Sequence, residues 1–394
     1  MKIVVLGGSA HSTPALWSYL VNEARLKGLN VVLVGRDNVR LNAVTRASGL
    51  LGNSVNNSLA SAVISDEGGW QFLEDADVIL IQIRNGGYAA RACDETFPLR
   101  YGLVGDEGLG AGGLCAAIRN WKAIAPALEY ISVFAPGALV LMMSSPVGLL
   151  VRASASRFPQ LNIAGICELP WTTLTDTCRA AGVHPYEVHF DYFGINHLGW
   201  FYNVTQNGRS VASVVPLKYL LLHEQRNTAV EEQRQAARPR AVELEEISRR
   251  AFEVYNTGDE DQVRQAAQVR RTPWYEHAVG PLVAALTGAD IRTVFFLSVR
   301  NNVFDSDYRE DDILEFAYIA KSGTLERVPR MKRVPLEMRV KLTAFVEYER
   351  SAVWAVLNPD NDTVEESLCL HPWVNGCGKI KELGQEILNY AHAA

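Results

Sequence analysis

The sequence predicts an α/β fold in which the first half is a doubly wound parallel sheet and the second half is α+β. Three observations carry this reading. Near-continuous apolar runs recur through residues 1–170, as strands covered on both faces require. Residues with helical periodicity separate those runs, and that alternation builds a parallel sheet. Beyond residue 170 some runs change to alternating apolar and polar positions, the mark of antiparallel strands with one packed face.

Lys2–Leu6 is a β-branched run that ends in Gly7-Gly8-Ser9. Apolar Leu16, Tyr19, Leu20 and Ala24 then predict a helix from near Ser12–Thr13, and residues 30–34 a second strand. Residues 77–83, 138–143 and 161–167 read as further strands. In the second half, residues 186–193, 199–206, 295–299 and 313–319 read as strands. Residues 228–255, 338–357 and 378–392 read as helices. With no repeat and no low-complexity linker, the expected division is residues 1–170 and 171–394.

A chain of 394 residues with 48% hydrophobic content can bury a large core. Single cores stop growing at roughly 250–300 residues, so two packed lobes are expected. A charged fraction of 21% and a net charge of −6 argue against nucleic acid or a membrane surface as the partner. The apolar start breaks at two glycines rather than at a small-residue cleavage site, unlike a signal peptide. The nearest approach to a membrane span, residues 135–150, is interrupted by Pro136, Gly137 and Pro146. Cys93, Cys115, Cys167, Cys178, Cys369 and Cys377 lie far apart with no CxxC, as expected of reduced thiols in a cytoplasmic protein.

The glycine turn is the strongest local signal. Gly7, Gly8 and Ser9 let the backbone approach a pyrophosphate, and the helix near Thr13, with Pro14 in its first turn, aims its N–H groups there. This predicts a Rossmann-like dinucleotide site over residues 1–170. The third glycine of G-x-G-x-x-G is missing, so a plain structural turn is the other reading. The second strand ends in Val34-Gly35-Arg36-Asp37. NAD enzymes usually place an acid there, whereas Arg36 suits a 2′-phosphate and Asp37 can reach a ribose hydroxyl. A solvated loop arginine is the bland alternative. NAD is the first expectation and NADP its rival.

Three more segments stand apart from ordinary core. Ile83-Arg84-Asn85-Gly86-Gly87 leads to Arg91, Asp94, Glu95, Asp106 and Glu107; the others are Cys167-Glu168-Leu169-Pro170 and Gly194-Ile195-Asn196-His197-Leu198-Gly199-Trp200. With GGSAHSTP at 7–14 and Arg300-Asn301-Asn302, they resemble the family 4 glycoside hydrolases, from residue 1 to about 375. That resemblance implies a C-terminal α+β half like that of lactate/malate dehydrogenases, serving substrate, metal and oligomerisation. It implies an NAD- and divalent-metal-dependent glycosidase of the 6-phospho-β-glucosidase and α-glucosidase group, an exception to the two-carboxylate scheme. Sugar C3 is oxidised, the C2 proton removed and the C1–oxygen bond eliminated; water then adds and the hydride returns. Manganese, with nickel or cobalt as alternatives, is held by Cys167 and His197. Cofactor contacts fall to Gly7, Gly8, Ser9, Thr13, Arg36, Asp37, Ile83 and Ser145. Substrate contacts fall to Arg84, Asn85, Glu107, Asn196, Arg270 and Arg271. A homodimer or homotetramer is implied, acting on a phosphorylated or otherwise anionic glycoside.

Taken alone, a Cys at a strand end is more often a small buried hydrophobe, and a single His a satisfied core residue. The chain also departs from the family. Glu168 stands where β-specific members have Asn and some α-specific ones Asp; it reads as the acid for the leaving group or as a partner of a sugar hydroxyl. Ser145 lies in a loop that elsewhere begins with Asn. The family's tyrosine cluster is reduced to Tyr219, followed by leucines and His223, so Tyr219 and His223 are the candidate bases. The glycines after Arg270 are lost, leaving Arg84, Arg270 and Arg271 as a phosphate clamp or as surface charges. Two rivals remain: a dehydrogenase of a small hydroxy acid or sugar, and a non-catalytic nucleotide sensor.

Overall fold

A computed structural model describes residues 1–52, 56–64, 69–302, 304–321, 323–330 and 333–393. Among them the strands are β1 (Lys2–Leu6), β2 (Asn30–Gly35), β3 (Ser58–Val63), β4 (Val78–Ile81), β5 (Leu139–Met142) and β6 (Asn162–Ile166). The second half adds β7 (His189–Ile195), β8 (Leu198–Gln206), β9 (Arg209–Pro216), β10 (Val294–Arg300), β11 (Ile313–Lys321) and β12 (Thr324–Arg327). All join one sheet in the order β3-β2-β1-β4-β5-β6-β10-β11-β7-β8-β9, with β12 beside β11. Strands β1 to β6 are parallel and the others antiparallel.

The continuous apolar strands are explained by helices on both faces. Val4 and Leu6 pack with Ile79, Ile81, Val140 and Met142 toward the helices Gly110–Phe134, Val147–Arg157, Leu336–Leu357, Asn361–Leu370 and Ile380–His392. Ile3 and Val5 point the other way, toward Asn38–Leu51, Arg240–Thr257 and Gly280–Leu286. Each such side chain contributes about 1.5–3 kcal/mol by leaving water. The last three helices thus return to cover the first half of the chain. The expected division after residue 170 falls in the first turn of the helix Leu169–Ala180.

Three strands went unanticipated. β3 and β9 end the sheet, and β12 pairs only with β11; their side chains are mostly exposed or half-buried, so no apolar run marks them. Residues 228–255 form two helices rather than one, Arg226–Gln235 and Arg240–Thr257. Pro239 separates them, because a proline inside a helix removes a hydrogen bond and clashes with the preceding turn.

The strand order reverses at β1, which has β2 on one side and β4 on the other. In α/β sheets ligands bind at the carboxyl ends of such strands. Leu6 pairs with Val34 and with Ile81, so the glycine turn, Arg36 and Ile83 emerge along one edge.

Candidate active site

The glycine turn is shaped by close approach. Gly7 has φ +86°, a conformation that favours glycine. A Cβ there would lie 2.8 Å from the Gln82 carbonyl oxygen, and one on Gly8 would lie 2.8 Å from the Val34 nitrogen. The N–H groups of Gly7 and Gly8 donate to Val34 O at 3.0 and 2.8 Å. Gln82 Nε2 donates to Gly7 O (3.1 Å) and Thr13 Oγ1 (3.0 Å), and Tyr275 Oη donates to Gln82 Oε1 (2.6 Å). Gln82 and Tyr275 were missed in the sequence. The only signal was a polar residue closing an apolar strand.

Gly7, Ser9, Arg36, Asp37, Ile83 and Ser145 line one cleft of about 1710 Å³. This exceeds the roughly 300–1,000 Å³ of a typical small-ligand pocket, leaving room for a dinucleotide and a sugar together. Gly8 and Thr13 are buried behind it. The helix Thr13–Ser18 starts with no side-chain cap on its first N–H groups. Asp37 caps the helix Asn38–Leu51, accepting from Arg40 N at 3.0 Å.

The same cleft receives Arg84, Glu107, Cys167, Glu168, His197, Tyr219, Arg270 and Arg271. Glu107 is gripped by Arg84 and by Arg91, the latter at 2.6 Å. Burial alone would raise its carboxyl, but the two guanidinium groups hold it below the usual range. Arg270 stacks over Trp274 at 4.6 Å and makes no ion pair among the described residues. Burial lowers its pKa, and Arg91 and Arg84 act in the same direction. His11, a further residue the sequence left unassigned, is buried beside this cluster; its Nε2 has no partner among the described residues. Burial and Arg270 lower its pKa to about 4, so the ring is neutral.

Cys167 follows the last residue of β6. Leu169 N donates to its Sγ at 3.4 Å, and Glu168 Oε2 lies 3.8 Å away. Burial raises the thiol's pKa, with Glu168 and Glu315 adding to it. His197 occupies the two-residue turn between β7 and β8 at φ +64°, strained for a non-glycine residue. Its ring stacks on Tyr219 at 4.7 Å and 17°. Gly108 makes room: a Cβ there would sit 2.8 Å from His197 Nδ1. That Nδ1 is buried with no hydrogen-bond partner among the described residues. Cys167 and His197 both line the cleft, and a thiol and an imidazole there fit a metal ion. No group of three or more His, Cys, Asp and Glu gathers among the described residues. Two protein donors would therefore leave positions open, as catalytic metal sites do.

Three sequence-nominated residues sit elsewhere or act indirectly. Asn85 is not in the cleft lining: its N–H donates to Asn120 Oδ1 (2.8 Å) and its Nδ2 to Arg119 O (3.2 Å), latching the loop to the helix Gly110–Phe134. Asn120 in turn donates to Ser145 O at 2.7 Å. Asn196 is buried behind Cys167 and donates to Glu315 Oε1 at 3.4 Å. His223 lies outside the lining, 3.2 Å from Asp106 Oδ2 and stacked on Trp373 at 4.3 Å. Tyr219 reaches the cleft, its hydroxyl raised by burial and by Asp106.

Residues 2–182 match the family described as Family 4 glycosyl hydrolase. Phospho-alpha-glucosidases and maltose-6′-phosphate glucosidases of Lacticaseibacillus paracasei, Clostridium acetobutylicum and Bacillus subtilis match at 28–33% identity over 131–207 residues. Those matches span only 30–46% of their lengths. The 6-phospho-beta-glucosidase BglT of Thermotoga maritima matches at 24% identity over 80% of this chain and 81% of its own. A structure of the Thermotoga maritima 6-phospho-beta glucosidase with NAD and glucose-6-phosphate shares the fold: TM-score 0.85, 21% identity, 99% of this chain and 98% of that one. Malate dehydrogenase of Plasmodium falciparum shares it more distantly, with TM-score 0.52, 14% identity and coverage of 91% and 100%, in keeping with the expected C-terminal half. Over residues 2–182 the chain is similar to the family 4 glycosyl hydrolases, and along nearly all of its length it shares the fold of the Thermotoga maritima enzyme.

Proposed function

We propose that this protein hydrolyses the O-glycosidic bond of a 6-phosphoglucoside, β-linked, using a nicotinamide dinucleotide and a divalent cation, manganese by preference. The observation that carries this is the meeting of Cys167 and His197 on one cleft with the glycine turn and the arginine cluster. The relatives matched over most of their length are named 6-phospho-beta-glucosidases, which supports the β linkage.

When bound, the nicotinamide ring supplies a hydride acceptor and the cation, held by Cys167 and His197, supplies Lewis-acid polarisation of sugar hydroxyls. Arg270, Arg271 and Arg84 bind the sugar phosphate; Arg84 and Arg91 also keep Glu107 ionised, able to accept from a sugar hydroxyl. Tyr219, stacked on the ring of His197, lies where a proton next to the metal site can be removed. Asp106 and His223 form a pair behind it that adds negative charge and fixes the wall. Glu168, beside Cys167, faces the cleft as the acid for the leaving oxygen. We place the protein in the cytoplasm, since its six cysteines are all unpaired, and as a homodimer or homotetramer by likeness to that family.

The test is release of nitrophenol from 4-nitrophenyl glucosides, with and without a 6-phosphate, under reducing conditions. Activity should need both Mn²⁺ and the dinucleotide and leave no net NADH. Turnover that persists after chelation and cofactor removal would refute the mechanism, and NADH accumulating in proportion to product would mark a dehydrogenase.

A further inference from the structure

We infer that the cleft selects the 2′-phosphorylated dinucleotide, NADP, over NAD, through Arg36 and Arg40. This rests on the nucleotide reading above and concerns only its ribose end. An NAD site usually offers the ribose hydroxyls a carboxylate at the end of the second strand. Here that place is Gly35, the last residue of β2. A side chain does not fit there without rearrangement: a Cβ would meet Ser9 Oγ at 2.9 Å and Ser9 Cβ at 3.1 Å. The next residue, Arg36, is exposed, lines the cleft and has no carboxylate partner among the described residues.

Arg40 lies one helical turn further on and also lines the cleft. Its guanidinium sits over the Phe252 ring at 5.3 Å, which orients it. The one acid nearby in sequence, Asp37, is engaged. Its Oδ1 accepts from Arg40 N at 3.0 Å, and its Oδ2 lies 3.5 Å from Arg40 Nε. Two guanidinium groups against one carboxylate leave a positive excess at this end of the cleft. Ile64, Trp70 and Pro126 line it too and offer a flat apolar wall to an adenine. A ribose hydroxyl would give Arg36 little to bind, whereas a phosphate dianion accepts forked hydrogen bonds from it.

Calorimetric titration of the full chain with NADP, NAD, 2′,5′-ADP and 5′-AMP tests this without any turnover. NADP should bind at least about tenfold more tightly than NAD, and 2′,5′-ADP more tightly than 5′-AMP by a similar factor, as charge-assisted hydrogen bonds allow. Arg36→Ala and Arg40→Ala should each bring the NADP/NAD ratio toward one while sparing NAD affinity. Gly35→Asp combined with Ser9→Gly, which clears the space, should turn the preference to NAD. Equal or tighter binding of NAD by the unaltered protein, or an unchanged ratio in Arg36→Ala, overturns the inference and leaves the dinucleotide site standing. If neither dinucleotide binds, both readings fall together.

Discussion

Withdrawing a guanidinium from water without an ion pair is costly, and Arg270 is half-buried with no ion pair among the described residues. With the neutral His11 next to it, it forms a stretch of cleft wall that favours an anion. Arg270→Ala should therefore raise KM for a 6-phosphorylated aryl glucoside by about 10- to 100-fold, the range for a charge-assisted contact. An unphosphorylated analogue should be affected far less. Steady-state kinetics on the two substrates checks this, and an equal loss on both would remove the phosphate from the argument. At this level the sequence was only partly legible. Cys167 and His197 stand in short motifs whose wording could be read directly. Where Asn85, Asn196 and His223 point depends instead on partners 34 to 119 positions away in the chain, and no local pattern encodes that.

The β1–helix turn depends on two backbones in contact. Around a Cβ on Gly8 the nearest atoms are Val34 N at 2.8 Å, Leu33 Cα and Val5 O, all backbone, so none can swing aside. Gly8→Ala should cost about 1–3 kcal/mol by overpacking. Gly49 gives the contrast: it lies inside the helix Asn38–Leu51 with nothing within 4 Å of its would-be Cβ. Gly49→Ala should stabilise by about 0.5–1 kcal/mol. Urea midpoints for the two variants should move in opposite directions; a shift of the same sign in both would show the packing account to be mistaken. The same physics explains which strands could be read in advance. Val4, Leu6, Ile79 and Val140 are apolar because helices cover both faces of the sheet, and that necessity is written into consecutive residues. β3, β9 and β12 are held by backbone hydrogen bonds along a neighbouring strand, which leaves side-chain identity almost free.

Stability of the protein as a whole should depend on two buried rings. Burial lowers His371 to about 3, with His223 adding to the effect, and burial with Arg270 lowers His11 to about 4. Above pH 6.5 neither state binds a proton at these residues. As pH falls from 6.5 toward 4, the unfolded chain takes up protons that the folded chain refuses, so stability falls. Glu315 and Glu349, raised to about 7 by burial, act in the opposite sense: they favour the fold at low pH, and that contribution is lost as pH rises through 7. His371→Phe should therefore lose less stability than the parent between pH 7 and pH 4.5, as read from denaturant midpoints. Identical slopes would show that this ring does not contribute. A second consequence follows from the helices that close the chain. Leu383, Ile387 and Leu388 share a core with Leu114, Ile118 and Ile131 beneath the parallel strands. A fragment that stops at residue 182 would keep the most family-like stretch of the protein but leave that face wet. It should show no cooperative melt and no near-ultraviolet dichroism, so the glycine turn holds its shape only with residues 336–392 packed beneath the sheet.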